Sequence, residues 1–280
     1  VSEFFEHLLK STVLDDAAPI RDDRVDRRRD AVLGSKIQHT LLWGKIPENL
    51  DRVQISAQTL ASQNVGGDFF DFVRYDNLHW DMMIGDVMGK GVLAALLGAG
   101  TKSEFFRTCG QVSYDCPAGV LPDIAKIVNN VHSQICGKLI ELSRFVTVCY
   151  VRFDLEKMRI EIVDCGHTKT VHYRHAEGRC DLIKGEHSPL GFDPQEVYDK
   201  ITTDLGDGDM LFFYSDGLTE AVNTQGDMYG SDRLARFIEE NPGLEPENLT
   251  RRIHQDLADF AIDGTVDDDL TYVTIKIGDR

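Results

Sequence analysis

The six cysteines contain no C-x-x-C pair, which excludes a zinc ribbon or a thioredoxin-like redox motif. No apolar run approaches the ~20 residues needed to cross a bilayer, and no signal-peptide pattern opens the chain. There is no internal repeat and no low-complexity tract. Basic charge is scarce: 30 Lys and Arg face 47 Asp and Glu, a net charge of -17. A nucleic-acid partner is therefore not expected, because displacing phosphate counterions takes Lys and Arg. No Walker A motif is present. Gly85 and Gly89-Lys90 are separated by three residues instead of four, and a glycine follows the lysine. No cysteine is followed by the C-x5-R spacing of a thiol-based route. Cys109, Cys136 and Cys149 sit in apolar patterns and are expected as small core residues. A reduced, cytoplasmic compartment fits these absences, and there the sequon Asn248-Leu249-Thr250 carries no meaning. The start at Val1 fits a piece of a longer protein.

What remains is an ordinary globular composition, 42% apolar and 28% charged. Residues 1–45 read as an N-terminal helical segment. Phe4, Phe5, Leu8 and Leu9 form a short apolar helix. From Val25 onward, Val32, Leu33, Ile37, Leu41 and Leu42 keep close to helical spacing beside a charge-dense face. That stripe needs burial, against the main domain or against a second copy of itself. From residue 46 the pattern changes. Val53, Ile55 and Ala57 alternate as a half-buried strand, and strands follow at 68–75 and 79–86. Helices are predicted from Val92 to about Cys109 and from about Pro122 to Leu139. Phe145–Phe153 and Met158–Val163 read as a hairpin, with shorter strands near 170–174, 180–183 and 196–203. Met210–Ser215 and Leu270–Ile277 are apolar strands, and helices near 231–240 and 246–261 lie between them. The class is α+β: stacked sheets flanked by helices.

Four acidic motifs punctuate this pattern: Gly66-Gly67-Asp68-Phe69-Phe70-Asp71, Gly85-Asp86-Val87-Met88-Gly89-Lys90-Gly91, Tyr214-Ser215-Asp216-Gly217 and Asp267-Asp268-Asp269-Leu270-Thr271. Each sets an aspartate at the end or start of a strand-like run. Taken singly, each also reads as an ordinary glycine turn or solvated loop. Gathered together, carboxylates at about 4 Å repel by roughly 4 kcal/mol per pair at an effective dielectric near 20. Bound cations would offset that, and hard divalent ions take oxygen ligands. A polynuclear Mg/Mn site performing phosphate chemistry is the first expectation. The strand-to-helix turn after Asp86 also exposes the Val87 carbonyl and free helix-start amides. His167 reads as structural, and neither His172 nor His175 has a zinc-like spacing partner.

Taken in order, these motifs resemble the SpoIIE-like, RsbU-type branch of the PPM metal-dependent serine/threonine phosphatases, over residues 36–279. Val65-Gly66-Gly67-Asp68-Phe69-Phe70-Asp71 and Gly85 to Gly91, followed by Ala94-Ala95-Leu96, carry the first half of the resemblance. Gly166-His167 with Pro189-Leu190-Gly191, Gly208-Asp209 through Ala221, and Asp268-Asp269-Leu270-Thr271 carry the second. Two departures stand out: Leu41-Leu42-Trp43 near the domain start, and Cys165-Gly166-His167-Thr168-Lys169-Thr170, which lacks the family's two prolines. The resemblance implies two face-to-face sheets with helices outside (αββα) and a binuclear centre at one end. Asp86 would bridge two Mn2+ or Mg2+ ions, with a third ion as an option. The Val87 carbonyl, Asp68, Asp216 and Asp268 would complete the set, with Asp269 and Asp71 nearby as ligands or as groups behind them. Asp86 and Lys90 are the expected catalytic residues, Lys90 steering the phosphate or its leaving group. No phosphate-binding arginine can be placed from the sequence.

The resemblance further implies hydrolysis of phosphoserine or phosphothreonine by a metal-activated water, without a phosphoenzyme. The implied substrate is a phosphorylated STAS-domain anti-sigma-factor antagonist in a partner-switching circuit. Residues 21–45 would link the domain to an upstream sensor or activator and support a homodimer. Two other classes compete. One is a pseudophosphatase that binds phosphoprotein without turnover, against which the intact aspartates speak. The other is a metal-dependent phosphodiesterase or nuclease, against which the charge speaks.

Overall fold

Strand alternation builds two five-stranded antiparallel sheets whose inner faces pack together. The computed structural model describes residues 40–60, 66–117, 119–262 and 268–278. The expected N-terminal helices up to residue 39 lie outside the described residues, as do Val65 and Asp267 of the motifs. The elements run β1 (Val53–Leu60), β2 (Phe69–Arg74), β3 (His79–Val87), α1 (Val92–Tyr114), α2 (Ile124–Glu141), β4 (Val146–Asp154), β5 (Arg159–Cys165), β6 (Thr170–Arg174), β7 (Arg179–Ile183), β8 (Ile201–Asp204), β9 (Met210–Tyr214), α3 (Asp216–Thr219), α4 (Ser231–Glu239), α5 (Pro246–Phe260) and β10 (Leu270–Ile277). One sheet has the order β1-β10-β9-β6-β7 and the other β2-β3-β4-β5-β8.

Because side chains alternate along a strand, each buried strand serves two cores. In β3, Trp80, Met82 and Ile84 face the opposite sheet, where they meet Leu211, Phe213, Val273 and Ile275, with Phe153 of the neighbouring β4 on the same inner face. Trp80 stacks on Phe153 with centroids 3.9 Å apart. Met83 and Val87 point the other way, toward Ile127, Val128 and Val131 of α2 and Leu97 and Phe105 of α1. On the far side, Phe212, Tyr214 and Tyr272 pack under Leu234 and Ile238 of α4 and Leu249, Ile253 and Leu257 of α5. Burial on both faces explains why β3, β9 and β10 read as nearly continuous apolar runs. The result is the expected α+β sandwich in αββα layers. Leu42, the end of the N-terminal apolar stripe, is fully buried. Its carbonyl accepts from the Phe70 amide, and the Gly44 amide donates to the Phe70 carbonyl, tying the entry of the domain to β2.

Two expectations shift. Helix α1 runs beyond Cys109 to Tyr114. The strand expected over 196–203 shortens to β8, because the backbone before it bonds to side chains instead of to the sheet. The Asn129 amide of α2 clamps Tyr198, accepting from its N–H at 2.9 Å and donating to its carbonyl at 2.8 Å. The Glu196 carboxylate accepts from the Ser188 amide. Helix α2 starts at the signal its sequence carries: the Asp123 side chain accepts from the Ala125 amide at 2.8 Å. Cys109, Cys136 and Cys149 are buried as expected. No described helix is long and apolar enough to cross a membrane.

Candidate metal centre

Register delivers the acidic motifs to one end of the sandwich. Leu60 pairs with Leu270, so the chain after β1 and the chain before β10 leave the sheet together. Tyr214 pairs with Tyr272, which brings Asp216 out at that same end. In the other sheet Phe69 pairs with Gly85, setting Asp68 beside the end of β3. Asp86 continues the Trp80, Met82, Ile84 series and therefore faces inward between the sheets.

Glycines permit the close approach. A Cβ on Gly67 would lie 2.9 Å from the Val87 carbonyl oxygen and 3.2 Å from Asp86 Oδ1. One on Gly66 would collide with the Asp269 carboxylate, and one on Gly217 with the Asp269 backbone carbonyl. The hydroxyls of the motifs orient the acids. Thr271 Oγ1 donates to Asp68 Oδ2 at 2.7 Å, Ser215 Oγ donates to the Asp269 carbonyl at 3.1 Å, and the Thr271 amide donates to Ser215 Oγ at 3.0 Å. Ser215 and Thr271 stand inside the acidic motifs, one residue before Asp216 and two after Asp269, and that placement is the sequence signal for this role.

The electrostatics are those of uncompensated negative charge. Burial, then the charges of Asp68, Asp216 and Asp268, push the Asp86 carboxyl far above the usual carboxylate range. Burial also raises Asp68, with Asp269 and Asp216 adding to it and the Ser215 and Thr271 hydroxyls opposing. Asp216 is pushed up to about 6 by burial, Glu220 and Asp268. Lys90 Nζ lies 3.2 Å from Asp268 Oδ1 at the open edge. Asp71 does not join this group. It pairs with Lys102 of α1 at 2.6 Å and accepts from the Phe72 amide, which ties β2 to α1. His167 is buried, held through Nδ1 to Thr147 Oγ1 at 3.0 Å, and burial lowers its pKa to about 3. It stays neutral and structural. His172 is likewise structural, bonded through Nε2 to Asp209 at 2.8 Å.

As they stand, no three described carboxylates, imidazoles or thiols meet at a single coordination point. The donor set still fits hard divalent cations. It is all oxygen, its charges repel, and Gly66 and Gly67 leave room for the Asp269 carboxylate, the Asp86 carboxylate and the Val87 carbonyl.

The Stage II sporulation protein E (SpoIIE) family matches residues 76–278. This chain belongs to the SpoIIE family. Among curated members it is similar to phosphoserine phosphatase RsbU of Bacillus subtilis, with 23% identity over 257 residues covering 92% of this chain and 72% of RsbU. It is also similar to phosphoserine phosphatase RsbP of the same organism, with 26% identity covering 70% of this chain and 47% of RsbP. The chain thus spans under half of RsbP. Among solved structures, the SiaA PP2C domain of Pseudomonas aeruginosa superposes with a TM-score of 0.75 at 18% identity, covering 92% of this chain and all of that one. RsbX in complex with magnesium gives 0.60 at 16% identity, covering 84% and 98%. As a SpoIIE-family member the domain is a PPM-type serine/threonine phosphatase, in a metal-dependent family.

Proposed function

We propose that this SpoIIE-family domain hydrolyses phosphoserine or phosphothreonine on a regulatory protein, using two Mn2+ or Mg2+ ions. Asp68, Asp86, the Val87 carbonyl, Asp216, Asp268 and Asp269 would hold them. The observation that carries this reading is convergence: acids from the entry to β2, the end of β3, the start of α3 and the entry to β10 share one end of the sandwich. When bound, such ions supply a water that loses its proton near neutral pH and positive charge against phosphoryl oxygens. The chain's own groups do the rest. Asp86, facing inward between the two sheets, would be the ligand the ions share. Thr271 and Ser215 fix the orientation of Asp68 and of the backbone at Asp269. Lys90, which Asp268 holds at the edge, is placed to steer the phosphate or its leaving group.

A phosphorylated STAS-domain protein is the substrate class this reading favours, supported by the likeness to RsbU and RsbP, both named phosphoserine phosphatases. The test is Asp216→Asn with excess Mn2+. Turnover of a phosphoserine peptide is expected to fall at least about 100-fold, the scale of losing one charge-stabilising element. Near wild-type turnover would remove Asp216 from the ligand set. The same variant, used as a trap, should retain phosphorylated STAS-domain protein in a pull-down; equal retention of the unphosphorylated form would refute that substrate class.

A further inference from the structure

The ladder between β3 and β4 continues past its last named pair. Val87 faces Val146, and the Met88 amide donates to the Phe145 carbonyl at 3.0 Å. Gly89 therefore falls opposite Arg144. The Arg144 guanidinium lies against that glycine: a Cβ there would sit 3.1 Å from Nη1 and 3.5 Å from Cζ. Gly89 also has φ +98°, a conformation that side-chain-bearing residues rarely adopt. The glycine of the acidic turn thus leaves a seat that an arginine fills.

This arginine is partly buried, and its guanidinium makes no ion pair and no hydrogen bond among the described residues. The contrast with the rest of the chain is what gives this weight. Arg107, Arg152, Arg159, Arg174 and Arg233, the other described arginines that are not exposed, each have a carboxylate partner. In a chain of net charge -17, carboxylates are not hard to find. Nor does Arg144 cap α2: only its backbone amide reaches back, to the Leu139 carbonyl, and the fork stays unused. Gly89 and Asp86 are three residues apart, a span of at most about 10 Å between their Cα atoms. Lys90 is already balanced by Asp268. Phe145 and Phe192 meet edge to face at 6.3 Å beside the same turn, with Phe192 largely exposed.

We propose that Arg144 is a substrate-binding residue that takes the phosphoryl oxygens of the phosphorylated side chain in its planar fork. The guanidinium geometry matches phosphate bidentately. Its fixed positive charge also draws a dianion toward an end of the molecule whose protein groups are mostly negative. This inference rests on the phosphatase reading, and it names a group on the helix-to-strand turn that no acidic motif contains.

The test reads binding directly. Inorganic phosphate, the product, is titrated into Mn2+-loaded wild type, Arg144→Ala and Arg144→Lys, and steady-state turnover of a phosphoserine peptide is measured alongside. Arg144→Ala is expected to weaken phosphate binding about 10- to 100-fold, the worth of a charged hydrogen-bonded contact. KM should rise in parallel, kcat should change much less, and Mn2+ affinity and melting temperature should hold. Arg144→Lys should fall between the two. Unchanged phosphate affinity in a folded Arg144→Ala protein overturns the inference while leaving the phosphatase reading intact. Phosphate binding by wild type without turnover of any phosphoester overturns the reading instead. If Arg144→Ala does not fold, phenylglyoxal labelling of the wild type decides. Inorganic phosphate should protect Arg144 while leaving exposed Arg236 equally reactive, and equal labelling of Arg144 with and without phosphate refutes the proposal.

Discussion

Strand β3 carries two aspartates five residues apart, Asp81 fully buried and Asp86 half-buried, and they meet opposite fates. Asp81 is fully buried and saturated: Arg152 grips both its oxygens at 2.7 Å, and the Tyr75 and Tyr150 hydroxyls donate at 2.9 and 2.8 Å. Burial and the charges of Asp68, Asp216 and Asp268 hold the Asp86 carboxyl well above the usual carboxylate range. The same residue type, in the same strand, is a strut in one place and a concentration of unpaired charge in the other. Burying a carboxylate costs several kcal/mol unless something neutralises it. Where the protein supplies the counter-charge the acid is structural. Where it withholds it, the acid is left available to a cation from outside.

Substitutions at the two positions can break this comparison. Asp86→Asn should reduce Mn2+-dependent turnover by at least about 100-fold, yet raise the melting temperature of the metal-free protein by a few degrees. The sign follows from linkage. A carboxyl whose folded pKa is raised destabilises the fold increasingly as pH rises above its unfolded value near 3.9. The gain should therefore vanish near pH 4 and grow toward neutrality; an Asn variant that melts lower across that range would refute the charge argument. Asp81→Asn should do the reverse. It strands the Arg152 charge, a loss of about 3–5 kcal/mol, or roughly 10 °C for a domain of this size. Turnover per folded molecule should stay near normal at low temperature. A thermal melt and a phosphopeptide assay on both variants give the four readings; parallel changes in activity would erase the distinction.

The acidic end was legible in the sequence because its parts are local. Each aspartate abuts its own strand and glycine, and the motif order specifies which ends converge. The apolar runs of β3, β9 and β10 announced burial on both faces for the same reason. What the sequence concealed depends on register. Asp81 and Arg152 are 71 residues apart and meet because β3 and β4 pair with Asp81 opposite Arg152. Arg144 reaches the site only because that ladder runs on to Gly89. The shortening of β8 needed Asn129, on a helix 69 residues earlier, to claim the backbone of Tyr198. Asp71 shares a motif with Asp68 yet turns to Lys102, because three residues along a strand reverse the face.

A third acid, buried like Asp81, sharpens the comparison with the smallest effect. Asp209 lies at the entry to β9, at the opposite end of that strand from Asp216. It accepts from His172 Nε2 at 2.8 Å and from the amides of Gly206 and His175 at 2.8 and 2.9 Å. Burial works to raise its pKa, but the His172 bond and the two amides outweigh it and hold the carboxyl below the ordinary range. A depressed folded pKa stabilises above the unfolded value near 3.9 and loses that contribution as pH falls through the folded one. Asp209→Asn should therefore cost on the order of 1–3 kcal/mol at neutral pH, with the difference from wild type closing below about pH 4. That acid limb runs opposite to the one predicted for Asp86. Two melting curves with the same pH trend would mean that burial alone, and not the partners each acid is given, sets its role.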